Sequence, residues 1–154
     1  MLAKVEVIKT HPRAHTPRYA TAGAAAADLR VVVDDENGAP GQIVLQPGEV
    51  RLMNTGLKVF VKDHNYMGVI APRSGMGHKQ GVILGNTVGI IDSDYSGELL
   101  ISLWNRSATP VEITDGQAVA QYIIVPVVHV DFEEVSEFSE STARGAGGFG
   151  HTGK

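Results

Sequence analysis

An all-β domain folded as a closed or jelly-roll-like β-barrel is what this chain predicts, on three observations. Short runs of valine, isoleucine and leucine follow one another closely, which is the rhythm of strands. Turn-forming pairs stand between the runs, drawn from 18 glycines and 7 prolines. No stretch carries the period of a long amphipathic helix.

Taken in order, the expected strands are residues 5–8, 29–33, 43–45, 50–53, 57–61, 67–71, 82–84, 88–91, 99–104, 111–113, 118–125 and 128–135. Asn37-Gly38 and Pro40-Gly41 turn the chain ahead of 43–45, and Pro47-Gly48 turns it again before 50–53. Ser96-Gly97 precedes 99–104, and Asp115-Gly116 separates 111–113 from 118–125. One short helix is expected over 73–80, weakened by Gly75 and Gly77. From Ser136 the alternation stops, so residues 1–135 are expected to form the barrel and 136–154 a flexible C-terminal arm.

Composition narrows the function. The chain has 154 residues with 43% hydrophobic and 19% charged, the profile of one globular domain. A formal charge of -4 argues against direct nucleic-acid binding, which needs a basic surface. The absence of cysteine removes disulfides, thiol nucleophiles and zinc-thiolate centres. No apolar run approaches the roughly 20 residues of a membrane helix, and the opening MLAKVEVIKTHPR has no apolar segment of signal type, so a cytoplasmic protein free of the membrane is expected. The six histidines lack metal-site clustering, and Asn105-Arg106-Ser107 is read as an accidental sequon.

Five clusters could carry chemistry. Ala26-Ala27-Asp28-Leu29 sets one acid among small residues; Asp28 could orient a neighbour or hold a cation through water. Pro72-Arg73-Ser74-Gly75 follows an apolar run and offers a guanidinium, a hydroxyl and free amides to phosphate oxygens, without the spacing of a Walker A loop. Residues 85–97, GNTVGIIDSDYSG, lie between apolar arms and read as a hairpin with its polar groups gathered on one side. Asp92 there is either a general base or the head of an Asx turn. Gln121, in GQAVAQ, presents an amide that donates and accepts. The tail RGAGGFGHTG, residues 144–153, is half glycine and orders only on a ligand or partner; Arg144 and Thr152 suit phosphate, and Phe149 suits a base.

In this order and at these separations, the five clusters resemble the motifs of the trimeric dUTPase family (deoxyuridine triphosphate diphosphatases), over nearly the whole chain. The resemblance implies a jelly-roll-like, β-clip subunit, a homotrimer with sites at subunit interfaces, and a tail that closes over a neighbouring site. It implies hydrolysis of dUTP to dUMP and pyrophosphate by water attack at the α-phosphorus, which limits uracil incorporation into DNA and supplies dUMP for thymidylate synthesis. Carried over by position, Asp92 is the base; Tyr95 packs under deoxyribose and excludes a 2'-hydroxyl; Asn86 and the backbone near Gly89 read uracil. Arg73, Ser74, Gly75 and Gln121 hold phosphate, Arg144, Gly150 and Thr152 belong to the tail that covers it, and Phe149 stacks on the base. Mg²⁺ is the implied cofactor, held mainly by substrate phosphates, with Asp28 able to support its water. His151 stands where the family usually has a small hydroxyl residue. A related deaminase chemistry on dCTP would need a further glutamate, and the strand beyond Glu98 offers none. A sensor without turnover, or a structural jelly roll, leaves the clusters unexplained.

Overall fold

The computed structural model describes residues 4–148. The described residues form eleven strands: β1 (Glu6–Lys9), β2 (Arg18–Tyr19), β3 (Ala27–Arg30), β4 (Gln42–Leu45), β5 (Val50–Phe60), β6 (Tyr66–Pro72), β7 (Val82–Leu84), β8 (Gly89–Ile91), β9 (Glu98–Asn105), β10 (Val111–Thr114) and β11 (Ala118–Pro126). They pair antiparallel in a four-stranded sheet ordered β1-β5-β9-β7, a five-stranded sheet ordered β2-β3-β11-β6-β8, and a ribbon of β4 with β10. This is the jelly-roll-like all-β architecture the sequence predicts. Leu29, Leu45, Leu57, Val59, Leu84, Leu99, Ile101, Leu103 and Ile113, each at most 1% exposed, fill the space the sheets enclose.

Three sequence expectations are corrected. Residues 50–53 and 57–61, expected as two strands, belong to the single strand β5, bulged at Thr55-Gly56. Buried Thr55 Oγ1 donates to Leu99 O at 2.7 Å and accepts from Leu57 N at 3.1 Å, while Gly56 takes φ +66°. A Cβ at Gly56 would lie 2.7 Å from His11 Cβ, so glycine is required twice over. Glu98 clamps the bulge, accepting from Gly56 N at 3.0 Å and from Thr10 Oγ1 at 2.9 Å.

The expected helix over 73–80 is present over 74–80 but widens to a π-type turn at Met76–Gln80, stopped by Gly81 at φ +70°. Residues 128–135 form no strand: Val128 is 86% and Phe132 96% exposed. Their alternation makes them competent to pair, but β11 ends at Pro126, and no strand among the described residues pairs with them.

Two details bear on the site. Arg13 Nε donates to Asp115 Oδ2 at 3.0 Å, and Val33 N donates to Asp115 Oδ1 at 2.8 Å. Arg13 also pairs with Asp34, and these carboxylates raise its pKa. The Asp115-Gly116 turn is thereby pinned just ahead of β11. Across β6, the Tyr122 ring lies over Gly68, where a Cβ would fall 2.5 Å from Cζ. Its hydroxyl is buried without a hydrogen-bond partner, and burial pushes its pKa up to about 12.

Candidate active site

Proline closes β6: Pro72 cannot donate to the ladder, so the chain leaves the sheet there. Arg73 is the next residue. Its Nη1 donates to Ala118 O at 2.9 Å, and its Nε stands 3.3 Å from Asp28 Oδ1, so the guanidinium is held between β3 and the start of β11. Gly77 N donates to Arg73 O at 2.9 Å, and buried Met76 anchors the wide turn beneath. Ser74 and Gly75 are left exposed at the rim of a cavity of ≈ 340 Å³, lined also by Lys79, Gln117 and Gln121.

Gln121 reaches this cavity through register, directly opposite Ala71 on β6 and Asp28 on β3. Gln117 Oε1 accepts from Thr114 N at 3.0 Å, which leaves its amide group to donate. Two cations, two amides and a hydroxyl thus face one concavity, a donor set suited to phosphate oxygens. Arg73, Ser74, Gly75 and Gln121 are brought together as the sequence predicts. Lys79 joins them without a sequence signal of its own, since the turn after Gly75 decides which way it faces, and Gln117 comes from the same GQAVAQ run as Gln121. The Asp28 carboxylate lies against the Arg73 guanidinium.

The cluster at 85–97 is built differently from a simple hairpin. Its flanking arms do pair, Leu84 on β7 opposite Leu103 on β9. Between them, however, the chain crosses to the other sheet and runs as β8 against β6, with Gly89 opposite Ile70 and Ile91 opposite Gly68. The polar groups therefore do not gather on one side. Asn86 and Gly89 lie at one end of β8, and Asp92 to Gly97 at the other. In the first turn Thr87 takes φ +62°, and Asn86 O accepts from Val88 N at 2.7 Å, which leaves the Asn86 side chain exposed. A Cβ at Gly89 would sit 3.1 Å from Ile70 Cβ.

At the far end Asp92 is exposed in a cavity of ≈ 530 Å³ shared with Lys62, His64, Asp94 and His129. Lys62, His64 and His129 come from segments remote in sequence, so no spacing announces them. Tyr95 N donates to Asp92 O at 3.2 Å, and Tyr95 Oη donates to Glu98 O at 2.9 Å, folding the ring back over Gly97.

Arg73 and Asp92 do not meet within one chain. Met67 lines the Asp92 cavity, and Arg73 stands six positions further along the direction of β6. At about 3.3 Å per residue that separation is roughly 20 Å. Arg144 closes a turn of its own, its Nε donating to Gly147 O at 2.8 Å. Phe149, Gly150 and Thr152 lie outside the described residues.

A jelly-roll-like all-β domain with a donor-rich loop at one end of a strand and an exposed carboxylate at the other defines the class of protein to which the chain is compared. The dUTPase family model matches residues 13–153. The deoxyuridine 5'-triphosphate nucleotidohydrolase of Acinetobacter baumannii is 53% identical over 138 residues, covering 90% of this chain and 87% of the relative. The dUTPase of Staphylococcus bacteriophage 80alpha, solved with dUpNHpp, superposes with a TM-score of 0.87 at 22% identity, covering 99% of this chain and 100% of that one. The dUTPase of phage phi11 of S. aureus, solved with a structural Mg(II) ion, gives a TM-score of 0.77 at 21% identity, covering 89% and 99%. The chain belongs to the dUTPase family.

Proposed function

We infer that this protein hydrolyses dUTP to dUMP and pyrophosphate, in a homotrimer whose active sites each draw on more than one subunit. The observation that carries the shared site is the separation along β6. A general base has to lie within hydrogen-bond reach of its water, about 3 Å, while the phosphate ligands grip the same nucleotide. Arg73 and Asp92 of one chain, roughly 20 Å apart along an extended strand, cannot do both. A second subunit brings its own Arg73 cavity to the first subunit's β8. The exposed apolar alternation after Pro126 supports the same assembly, because Val128, Val130 and Phe132 are left uncovered by the described residues and a neighbouring subunit would cover them.

At such a site Asp92 accepts a proton from the attacking water, and Gln121 orients that water beside the α-phosphorus. Arg73, Ser74 and Gly75 hold the phosphate oxygens as charge develops on them. Tyr95 underlies the deoxyribose, Asn86 and the backbone near Gly89 meet the uracil edge, and the tail residues Arg144, Phe149, Gly150 and Thr152 close over the nucleotide and exclude bulk water.

Among the described residues no group of three histidines or acids could cage a metal ion. Exposed Asp92 and Asp94 and the carboxylate at Asp28 suit water-mediated contact with Mg²⁺ carried by the substrate phosphates. When bound, the ion offsets negative charge on those phosphates. Glu98 is occupied in holding the β5 bulge, which leaves the deaminase alternative without its acid. Among the described residues no helix is long and apolar enough to cross a membrane, and the reading places the enzyme with the cytoplasmic nucleotide pool.

The test is pyrophosphate release from dUTP, dTTP, dCTP and UTP, with Mg²⁺ and with EDTA. Release from dUTP alone, abolished by EDTA, is expected. Binding of dUTP without release from any of the four would make the protein a sensor instead.

A further inference from the structure

The five-stranded sheet sets Arg18, Asp28, Gln121 and Ala71 directly opposite one another on β2, β3, β11 and β6. Residues paired this way project from one face. With strands about 4.8 Å apart, the Arg18 backbone stands roughly 10 Å from that of Gln121. Asp28 lies between them with its carboxylate against Arg73, so its negative charge is offset on the phosphate side.

Beyond Asp28 opens a second cavity of ≈ 510 Å³, in which Lys9, His15, Arg18 and Arg30 face Asp28 as the one acid. Part of this basic wall is fixed in place. Arg30 Nη1 donates to Gly116 O at 2.7 Å, and a Cβ at Gly116 would lie 3.4 Å from His15 Nε2. The pinned Asp115-Gly116 turn therefore holds the Arg30 guanidinium in place. Lys9 and Arg18 enter none of the ion pairs among the described residues. In a chain of net charge -4, such a concentration of uncommitted cations in one concavity calls for an anion.

We propose that this cavity is a second anion subsite, adjoining the phosphate cavity across Asp28, that binds pyrophosphate with Arg18 as its principal ligand. The assignment of pyrophosphate as the natural anion rests on the dUTP reading; the cationic site itself does not. Arg18 offers the forked donors that match two oxygens of a diphosphate, and Lys9, reaching in from the other sheet, adds a point charge. Pyrophosphate released at Arg73 meets this wall next along the same face, which gives the product a path off the enzyme that the following substrate does not occupy.

The experiment is calorimetric titration of the full chain with magnesium pyrophosphate alone, and again after saturation with dUpNHpp. Arg18→Gln and Lys9→Gln are measured in parallel, together with dUTP turnover. Pyrophosphate binding that persists under dUpNHpp and weakens about tenfold or more in Arg18→Gln is expected, as for loss of a charge-assisted bidentate contact. A smaller loss in Lys9→Gln, with kcat and KM for dUTP within about twofold in both variants, completes the expected result. Complete displacement of pyrophosphate by dUpNHpp, or affinity unchanged in both variants, overturns the proposal. Arg18-dependent binding in a protein that fails to turn over dUTP would leave the subsite standing and remove the hydrolase reading instead.

Discussion

Replacing Gly97 by alanine should weaken discrimination against UTP while leaving Tyr95, the ring assigned to the sugar, unsubstituted. An added Cβ falls 2.4 Å from Tyr95 Oη and 2.6 Å from Cζ. Carbon contacts are comfortable from about 3.5 Å, so the ring has to retreat by roughly 1 Å. The backbone at Gly97 has no positive φ to defend, so the alanine itself is not strained. The retreat breaks the 2.9 Å donation from Tyr95 Oη to Glu98 O. Because Tyr95 is 42% exposed, that loss costs only about 1 kcal/mol of stability. Misplacement of a positioning group by about 1 Å can cost around 10²-fold in rate. Gly97→Ala is therefore expected to lose ten- to a hundredfold of the dUTP over UTP preference in kcat/KM, with a Tm only slightly lower. A folded variant with its preference intact would show that Tyr95 does not set the sugar filter.

Other substitutions probe separate parts of the account. Asp92→Asn should keep dUpNHpp binding and lower kcat by about 10² or more, since the amide cannot take a proton; equal turnover would remove Asp92 from the base role. Asn105, fully buried, donates to Leu45 O at 3.0 Å and Thr109 O at 2.8 Å and accepts from Ser107. Asn105→Leu strands those groups and should cost about 3 kcal/mol in denaturant unfolding, while a cost near zero would mean that the loop re-pairs them. For Tyr122 the folded-state pKa of about 12 stands above the ordinary 10.0, so the unfolded chain loses its proton first. Its contribution is complete below pH 10.0 and declines as the pH rises towards about 12, by about 2–3 kcal/mol in all. Tyr122→Phe should lack that part of the alkaline loss, and identical alkaline profiles would count against the buried, unpartnered hydroxyl.

Strands and turns were legible because each depends on residues close in sequence. Asp115-Gly116 and Pro47-Gly48 stand where the chain turns, with Gly116 at φ +72° and Gly48 at φ +78°. The bulge at Thr55-Gly56 looked like a gap between two strands, since the groups that bridge it, Leu99 O and Glu98, come from β9. Residues 128–135 carry a strand's alternation without a strand, because pairing needs an edge and no strand among the described residues offers one there. The sequon at Asn105 has the right letters, but its side chain is buried in hydrogen bonds and closed to a glycan.

The candidate site shows the same division. Arg73, Ser74 and Gly75 are contiguous and could be read as a unit, whereas Asp28 against Arg73, or His64 beside Asp92, arises only from strand order. Nor does sequence order reveal that β8 crosses sheets and carries Asp92 to the end of β6 remote from Arg73.

Subunit mixing tests the shared site most directly. Asp92→Asn and Arg73→Ala proteins, each inactive alone, are mixed in equal amounts, exchanged through mild denaturant and assayed for dUTP hydrolysis. If each site takes Asp92 from one subunit and Arg73 from its neighbour, random trimers should recover about one quarter of the wild-type rate. A mixture as inactive as its components, with exchange verified, would place both residues in one chain's site and contradict the account.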